Sequence, residues 1–240
     1  MERLAVAFLM VMLMIGGEGV GGDVSGEKEK DRITDLPGLP AGTRLGFQQY
    51  AGYVSLFGGN QIFYYLVEYD GSSSSPAEET PLIMWFSAGR VCSSVGSGGM
   101  LDAGPLRVQR DGSLKLNPWA LNKVANLLFV DFPGGVGFST ARNSSARHKE
   151  DVAWDADGFL QQWTSRFPEY KGRKLYLAAH LAIKLVPGVL RPIAGLRLQG
   201  LLRGNPLIDP DTYLKGFAEF ASVKGMITDK SKNRIPKTTL

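Results

Sequence analysis

The chain has 240 residues, of which 44% are hydrophobic and 21% are charged, and these values are typical of a globular protein with one domain or at most two. Its formal net charge of +4 is spread along the chain, without a basic block, a zinc finger or an aromatic-flanked basic stripe. We therefore expect no nucleic-acid partner, because a nucleic-acid surface needs basic residues gathered on one face.

The N-terminal segment 1–22 is predicted to be a secretory signal peptide. Arg3 supplies a positive charge, residues 4–15 are apolar throughout, and residues 16–22 are mostly small. An apolar run of this length suits a signal peptide and is short for a membrane span, with an uncleaved anchor as the alternative. Cleavage would leave a secreted or vacuolar protein without membrane contact. Asn143 begins a glycosylation sequon, which requires secretion to be used.

The segment 23–35 is polar and rich in turn residues, and we expect it to be a flexible leader. Residues 50–56 and 62–69 are rich in aromatic and β-branched side chains, and the intervening Phe-Gly-Gly-Asn predicts a β-hairpin. Apolar runs at 82–86 and 126–132 do not alternate with polar residues, which is typical of strands covered on both faces.

An amphipathic helix is predicted between residues 150 and 167, ending before Pro168. Its apolar stripe recurs at spacings of three and four: Val152, Ala156, Phe159, Leu160, Trp163 and Phe167. Further strands are predicted at 174–178 and 196–202, and residues 233–240 resemble a frayed tail. Buried strands that alternate with a helix predict an α/β fold.

A series of short stretches, taken in order, resembles the serine carboxypeptidases (peptidase family S10) and their acyltransferase relatives. These stretches are 47–54, 63–65, 81–85, 92–94, 104–108, 117–119, 124–131, 133–139, 167–170, 176–178, 204–209 and 225–229. The resemblance covers about residues 36–232. It implies a partial α/β-hydrolase fold, the N-terminal part only, in which a mixed, twisted sheet is flanked by helices and carries the site at the carboxyl ends of its strands.

The nucleophile of that family is missing here. The family needs a serine on a tight turn between glycines, as Gly-Glu-Ser-Tyr-Ala-Gly, whereas residues 179–184 read Ala-His-Leu-Ala-Ile-Lys. Leu181 therefore falls at the lost nucleophile position. No serine, threonine or cysteine lies between Arg166 and Asp211, so a shifted alignment would not supply a substitute.

The remaining catalytic parts are also absent or altered, so we expect no catalytic residue. The family's Asp and His come later than this sequence extends, and neither His148 nor His180 is at a family histidine position. The family reads Asn-Gly-Gly-Pro-Gly-Cys-Ser-Ser at its oxyanion and carboxylate-binding loop, whereas residues 87–94 read Ser-Ala-Gly-Arg-Val-Cys-Ser-Ser. We interpret Ser87, Ala88 and Gly89 as a degraded form of that loop.

Gly135, Val136 and Gly137 are interpreted as a remnant of the substrate cleft, which the family shapes with this stretch. Ser139 follows in Gly-Phe-Ser-Thr-Ala and imitates a nucleophile elbow, but no paired histidine is visible, so we expect it to be non-catalytic. Cys92 is the only cysteine, and its partner in the family belongs to a later part of the chain.

No metal site or cofactor is predicted. Asp151, Asp155 and Asp157 have the spacing of a solvated helix face, and nothing completes a set of oxygen ligands.

Three functional hypotheses follow. The first is an inactive serine carboxypeptidase-like protein. The second is an active carboxypeptidase or acyltransferase, whose real sequence differs through mis-splicing or truncation. The third is a non-catalytic interaction protein completed by a partner or by oligomerisation through an exposed sheet edge. A peptide ligand is implied by the resemblance alone.

Overall fold

The computed structural model describes residues 24–72, 76, 79–86, 92–142, 149–179, 195–204, 209–232 and 234. The chain divides into two units, residues 1–204 and 205–240. The signal peptide predicted over 1–22 and the tail predicted over 233–240, apart from Arg234, lie outside the described residues.

The first unit contains a six-stranded mixed sheet in the order β1-β2-β6-β3-β7-β8. Its strands are β1 Gln49–Ser55, β2 Gln61–Val67, β3 Leu82–Phe86, β6 Asn126–Val130, β7 Lys174–Ala179 and β8 Arg197–Arg203. β1 and β2 form the predicted antiparallel hairpin, β2 pairs antiparallel with β6, and the remaining pairs are parallel. A small second sheet pairs β4 Leu106–Val108 with β5 Leu114–Leu116. The predicted strands and the α/β class are confirmed.

The helices of the first unit are α1 Val24–Lys30, a π-helix at Ser94–Asp102, and α2 Lys149–Arg166. Short 3-10 helices occur at Leu121–Lys123 and Pro168–Tyr170. The second unit contains α3 Pro210–Val223 and α4 Asp229–Lys232. The helix predicted between residues 150 and 167 corresponds to α2 and is confirmed.

The two faces of the sheet are covered by different helices. On one face, Phe159, Leu160 and Trp163 of α2 are fully buried against alternate residues of the strands, among them Tyr64 and Met84. Burying such large apolar side chains contributes about 1.5–3 kcal/mol each to folding, before entropy is counted.

On the other face, the π-helix contributes Val95 to a cluster with Tyr65 and Phe129. A Cβ on Gly98 of this helix would lie 2.5 Å from Trp85 Nε1, so only glycine permits this approach to the sheet.

The flexible leader expected over 23–35 is wrong for its described part, because residues 24–30 form α1 and Arg32 makes a β-bridge to Tyr50. Arg166 Nη2 donates to Glu27 Oε2 at 2.6 Å, and Arg166 Nη1 donates to Asp31 Oδ2 at 2.6 Å. Tyr64 Oη donates to the same Asp31 oxygen at 2.5 Å. These bonds to distant residues order a polar segment that has little apolar surface of its own.

None of the helices in the described residues is both long and apolar enough to span a membrane. Within the same residues, no three side chains among His, Cys, Asp and Glu are grouped as metal ligands would be.

Candidate functional site: the carboxyl ends of β6 and β3

Four neighbouring strands, β6, β3, β7 and β8, run parallel, so their carboxyl ends meet at one edge of the sheet. Open α/β sheets bind their ligands at this edge. β6 leads directly into Asp131 and a turn over residues 133–139. β3 leads, through residues outside the described set, to Ser93 and the π-helix. The described part of the candidate site is therefore the meeting point of this turn and the start of the π-helix.

The turn contains Gly135, Val136 and Gly137, the residues interpreted as a cleft remnant. Gly135 and Gly137 have φ values of 88° and 54°, which glycine adopts at little cost. The Gly135 N–H donates to the Ser139 carbonyl at 3.1 Å, and the Val136 N–H donates to the Pro133 carbonyl at 3.1 Å. Val136 is buried, whereas the two glycines are exposed, so the turn presents backbone rather than side chains at its surface.

Asp131 joins the turn to the π-helix. It is fully buried, and the Ser93 hydroxyl lies 2.9 Å from each of its carboxylate oxygens. The Val95 N–H donates to Oδ1 at 3.2 Å, and the Ser94 N–H also bonds to the carboxylate. From the turn, the Phe138 N–H donates to Oδ2 at 2.9 Å. One carboxylate therefore accepts hydrogen bonds from both segments.

Burial raises the pKa of Asp131, because the carboxylate loses its water, while the bonds from Phe138, Val95 and Ser93 act to lower it. The same carboxylate affects Tyr53, whose hydroxyl donates to the Phe138 carbonyl at 3.2 Å. Burial raises the pKa of Tyr53, and the negative charge of Asp131 raises it further. Among the described residues, O–H and N–H groups donate to the buried carboxylate and offset the cost of burying its charge.

Gly137 lies directly against this carboxylate. A Cβ at position 137 would be 2.0 Å from Asp131 Oδ2 and 2.9 Å from the Cβ of Ser93. The position therefore excludes any side chain, both through its positive φ and through the space that Asp131 and Ser93 occupy.

Ser139 is buried, and its hydroxyl has two structural partners. It donates to the Asp131 carbonyl at 2.5 Å and accepts from the Phe63 N–H at 2.7 Å. This hydroxyl links the turn to the backbone of β2. A nucleophilic serine requires an exposed hydroxyl beside a base, whereas this hydroxyl is buried and bonded to backbone groups.

Several predicted positions lie outside the described residues. These are the degraded loop residues Ser87, Ala88 and Gly89, the lost nucleophile position Leu181, and the sequon residue Asn143. Cys92 is described and is exposed as a free thiol.

The role of Asp131 is not apparent from the sequence patterns. Its signal was an acidic residue that ends an apolar strand and precedes a Pro-Gly-Gly turn. Such a residue is buried at a cost unless several donors converge on it.

Known proteins are similar to this chain over most of its length. The family model described as serine carboxypeptidase matches residues 37–239. "Serine carboxypeptidase-like 28" of Arabidopsis thaliana is 38% identical over 236 residues, which cover 91% of this chain and 49% of that protein. "Serine carboxypeptidase-like 26" of Oryza sativa subsp. japonica is 39% identical and covers 88% and 47%. The chain thus spans about half the length of these curated relatives.

A solved structure supports the same assignment. The crystal structure of Kex1(delta)p, a prohormone-processing carboxypeptidase from Saccharomyces cerevisiae, matches with a TM-score of 0.71 and 26% identity, covering 86% of this chain and 49% of that one. The fold of this chain is therefore similar to that of a solved carboxypeptidase over most of the chain's length. The chain belongs to the serine carboxypeptidase family and has its α/β-hydrolase fold.

Proposed function

We propose that this chain is a serine carboxypeptidase-like protein that does not hydrolyse peptides. One observation carries the proposal: β7 and the residues on either side of it, from Arg166 to Asp211, contain no serine, threonine or cysteine, and the family places its nucleophile in this stretch. Loss of the nucleophile alone typically lowers turnover by about a million-fold.

The contacts of Ser139 support the proposal, because Ser139 is the best substitute nucleophile. Ser139 is the serine in the Gly-x-Ser-x-Ala stretch, and its buried hydroxyl is held by the Phe63 N–H and the Asp131 carbonyl. Freeing this oxygen for attack would leave two buried polar groups without partners, which costs about 1–3 kcal/mol for each group. This cost supports a non-catalytic chain.

A fluorophosphonate probe tests the proposal, because it reacts covalently with activated serines. We expect no labelling of the purified chain, with circular dichroism confirming a folded sample, and the same result for Ser139→Ala. Trypsin serves as the positive control for the probe. Stoichiometric labelling of the wild type that disappears in Ser139→Ala would contradict the proposal and assign the nucleophile.

We also propose that the chain is secreted or vacuolar. The support is the signal-like composition of residues 1–22 and the sequon at Asn143. Expression in a eukaryotic host tests this: the wild type should lose mass on endoglycosidase treatment, whereas Asn143→Gln should not. A chain that stays cytosolic and unglycosylated would refute the location.

A second candidate function is that of an interaction protein, and the edge position of β8 favours it. Leu201 and Leu202 on β8 are 37% and 43% exposed, and within the described residues no strand pairs with the outer edge of β8. Unpaired backbone groups beside exposed apolar side chains favour pairing with another chain. A second copy of this chain or a separate partner would satisfy that edge.

A further inference from the structure

Two chain segments meet at the carboxyl ends of β3 and β6. One is the start of the π-helix, residues 93–95, and the other is the turn 133–139. The strands that precede them are adjacent and parallel, which brings the two segments near each other but does not set their spacing. Loops that follow a sheet need further contacts to hold one geometry.

We propose that Asp131 is the positioning residue of this site: its buried carboxylate holds the start of the π-helix and the turn 133–139 at one fixed separation. The inference goes beyond the proposed function, because it concerns the spacing of two segments and holds whether or not the chain hydrolyses anything.

Three features of the contacts support this role. The bonds are shared between the segments, since Ser93 and Val95 donate from one side and Phe138 donates from the other. A negatively charged acceptor makes these bonds stronger than those between neutral groups. Replacing the carboxylate by an amide would also set an NH₂ group against existing donors.

The surrounding residues leave space for this carboxylate and bond to it. Gly137 leaves the space that Oδ2 occupies, and the Ser93 hydroxyl also accepts from the Gly96 N–H at 2.9 Å. Ser93 thus connects Asp131 to the first turn of the π-helix. Ser139 holds the backbone carbonyl of Asp131 itself, so both ends of the residue are fixed.

Cys92 provides a reporter beside this contact. It is exposed, it precedes Ser93, and it is the only cysteine of the chain, so a thiol-reactive nitroxide labels this position alone. The electron paramagnetic resonance line shape of the label reports local motion at the start of the π-helix. Hydrogen exchange over residues 133–140 reports on the turn independently of the label.

We expect Asp131→Asn to sharpen the nitroxide spectrum at Cys92 and to accelerate exchange over 133–140 by about tenfold or more, the scale of a lost bond to a charged group. Asp111→Asn is the matched control, because Asp111 makes its bonds to Ser113 within the β4–β5 loop. It should leave both readouts unchanged.

Ser93→Ala decides the proposal if Asp131→Asn does not fold. It removes one donor to Asp131 and the acceptor of the Gly96 N–H, both on the π-helix side, and nothing from the turn. Faster exchange over 133–140 in this variant therefore shows that Asp131 transmits the change. Circular dichroism and the urea midpoint separate this local effect from general unfolding. Unchanged exchange over 133–140 in folded Ser93→Ala, or an unchanged Cys92 spectrum in folded Asp131→Asn, overturns the positioning role.

Discussion

Several residues in this protein pack against or bond to one buried carboxylate, that of Asp131. Asp131 would be costly at full burial without partners, and it persists because an O–H group and several N–H groups converge on it. Asp131 also accounts for two neighbouring residues. Gly137 leaves the space that the carboxylate occupies, and Ser139 donates to the backbone carbonyl of Asp131.

Gly137→Ala tests this fit. A left-handed φ costs an L-residue about 1–2 kcal/mol, and crowding Asp131 adds about 1–3 kcal/mol, so the variant should lose about 2–5 kcal/mol of unfolding free energy. Gly135→Ala is the matched control in the same turn: its φ is also positive, but its added Cβ meets nothing closer than 3.9 Å. Urea unfolding measures both. Equal losses in the two variants would show that contact with Asp131 contributes nothing.

Elements in this fold are anchored by residues far away in the sequence. α1 is short and polar, and isolated helices of its length are marginal in water. Arg166, at the end of α2, holds it through Glu27 and Asp31, and its Nη1 also donates to the Tyr53 carbonyl at 3.0 Å. Burial lowers the pKa of Arg166, but its acidic neighbours outweigh that effect and keep the guanidinium charged.

Arg166→Lys should release α1. A lysine cannot reproduce the forked contacts to Glu27 and Asp31, and a partly buried carboxylate would lose its partner. We expect a loss of about 2–3 kcal/mol in urea unfolding and faster proteolysis within residues 24–33. Arg107→Lys is the control, since Arg107 is exposed and makes one long bond to the Asp102 carbonyl. If proteolysis of residues 24–33 is equally slow in both variants, the anchoring role of Arg166 is wrong.

The molecule as a whole has an asymmetric sheet. One outer strand, β1, is bridged by Arg32, whereas the described residues show no partner for the outer edge of β8. The proposal of an interaction protein assigns a second chain to this outer edge of β8, because unpaired backbone groups favour pairing.

The proposal that a second copy of this chain pairs with that edge predicts self-association. We expect light scattering after size exclusion to show a mass that rises with protein concentration, and Leu201→Lys with Leu202→Lys to give a monomer. Leu116→Lys is the control, because Leu116 is 59% exposed but lies on the separate two-stranded sheet. A wild type that remains monomeric at every concentration would exclude pairing through β8.

Local sequence patterns were sufficient to predict most strands of the sheet and α2. Strands β2, β3 and β6 are short apolar runs, and such runs predict strands that are buried on both faces. The apolar residues of α2 recur at helical spacing, which predicts a helix that is buried on one face. The order of short stretches also predicted the family, which the comparisons confirm. The prediction that the nucleophile is absent rests on residue types alone.

Long-range contacts determined the π-helix, α1 and the hydrogen bonds of Asp131. The glycine-rich π-helix has no apolar period, and it forms where Gly98 and Gly99 approach Trp85 and Phe129. α1 depends on an arginine more than 130 residues away, with separations of 135 and 139 to its two carboxylate partners. Asp131 gains its donors from segments that meet only when β3 and β6 pair. Hydrogen bonds and ion pairs between such distant residues have no periodic pattern in the sequence, so folding alone brings their partners together.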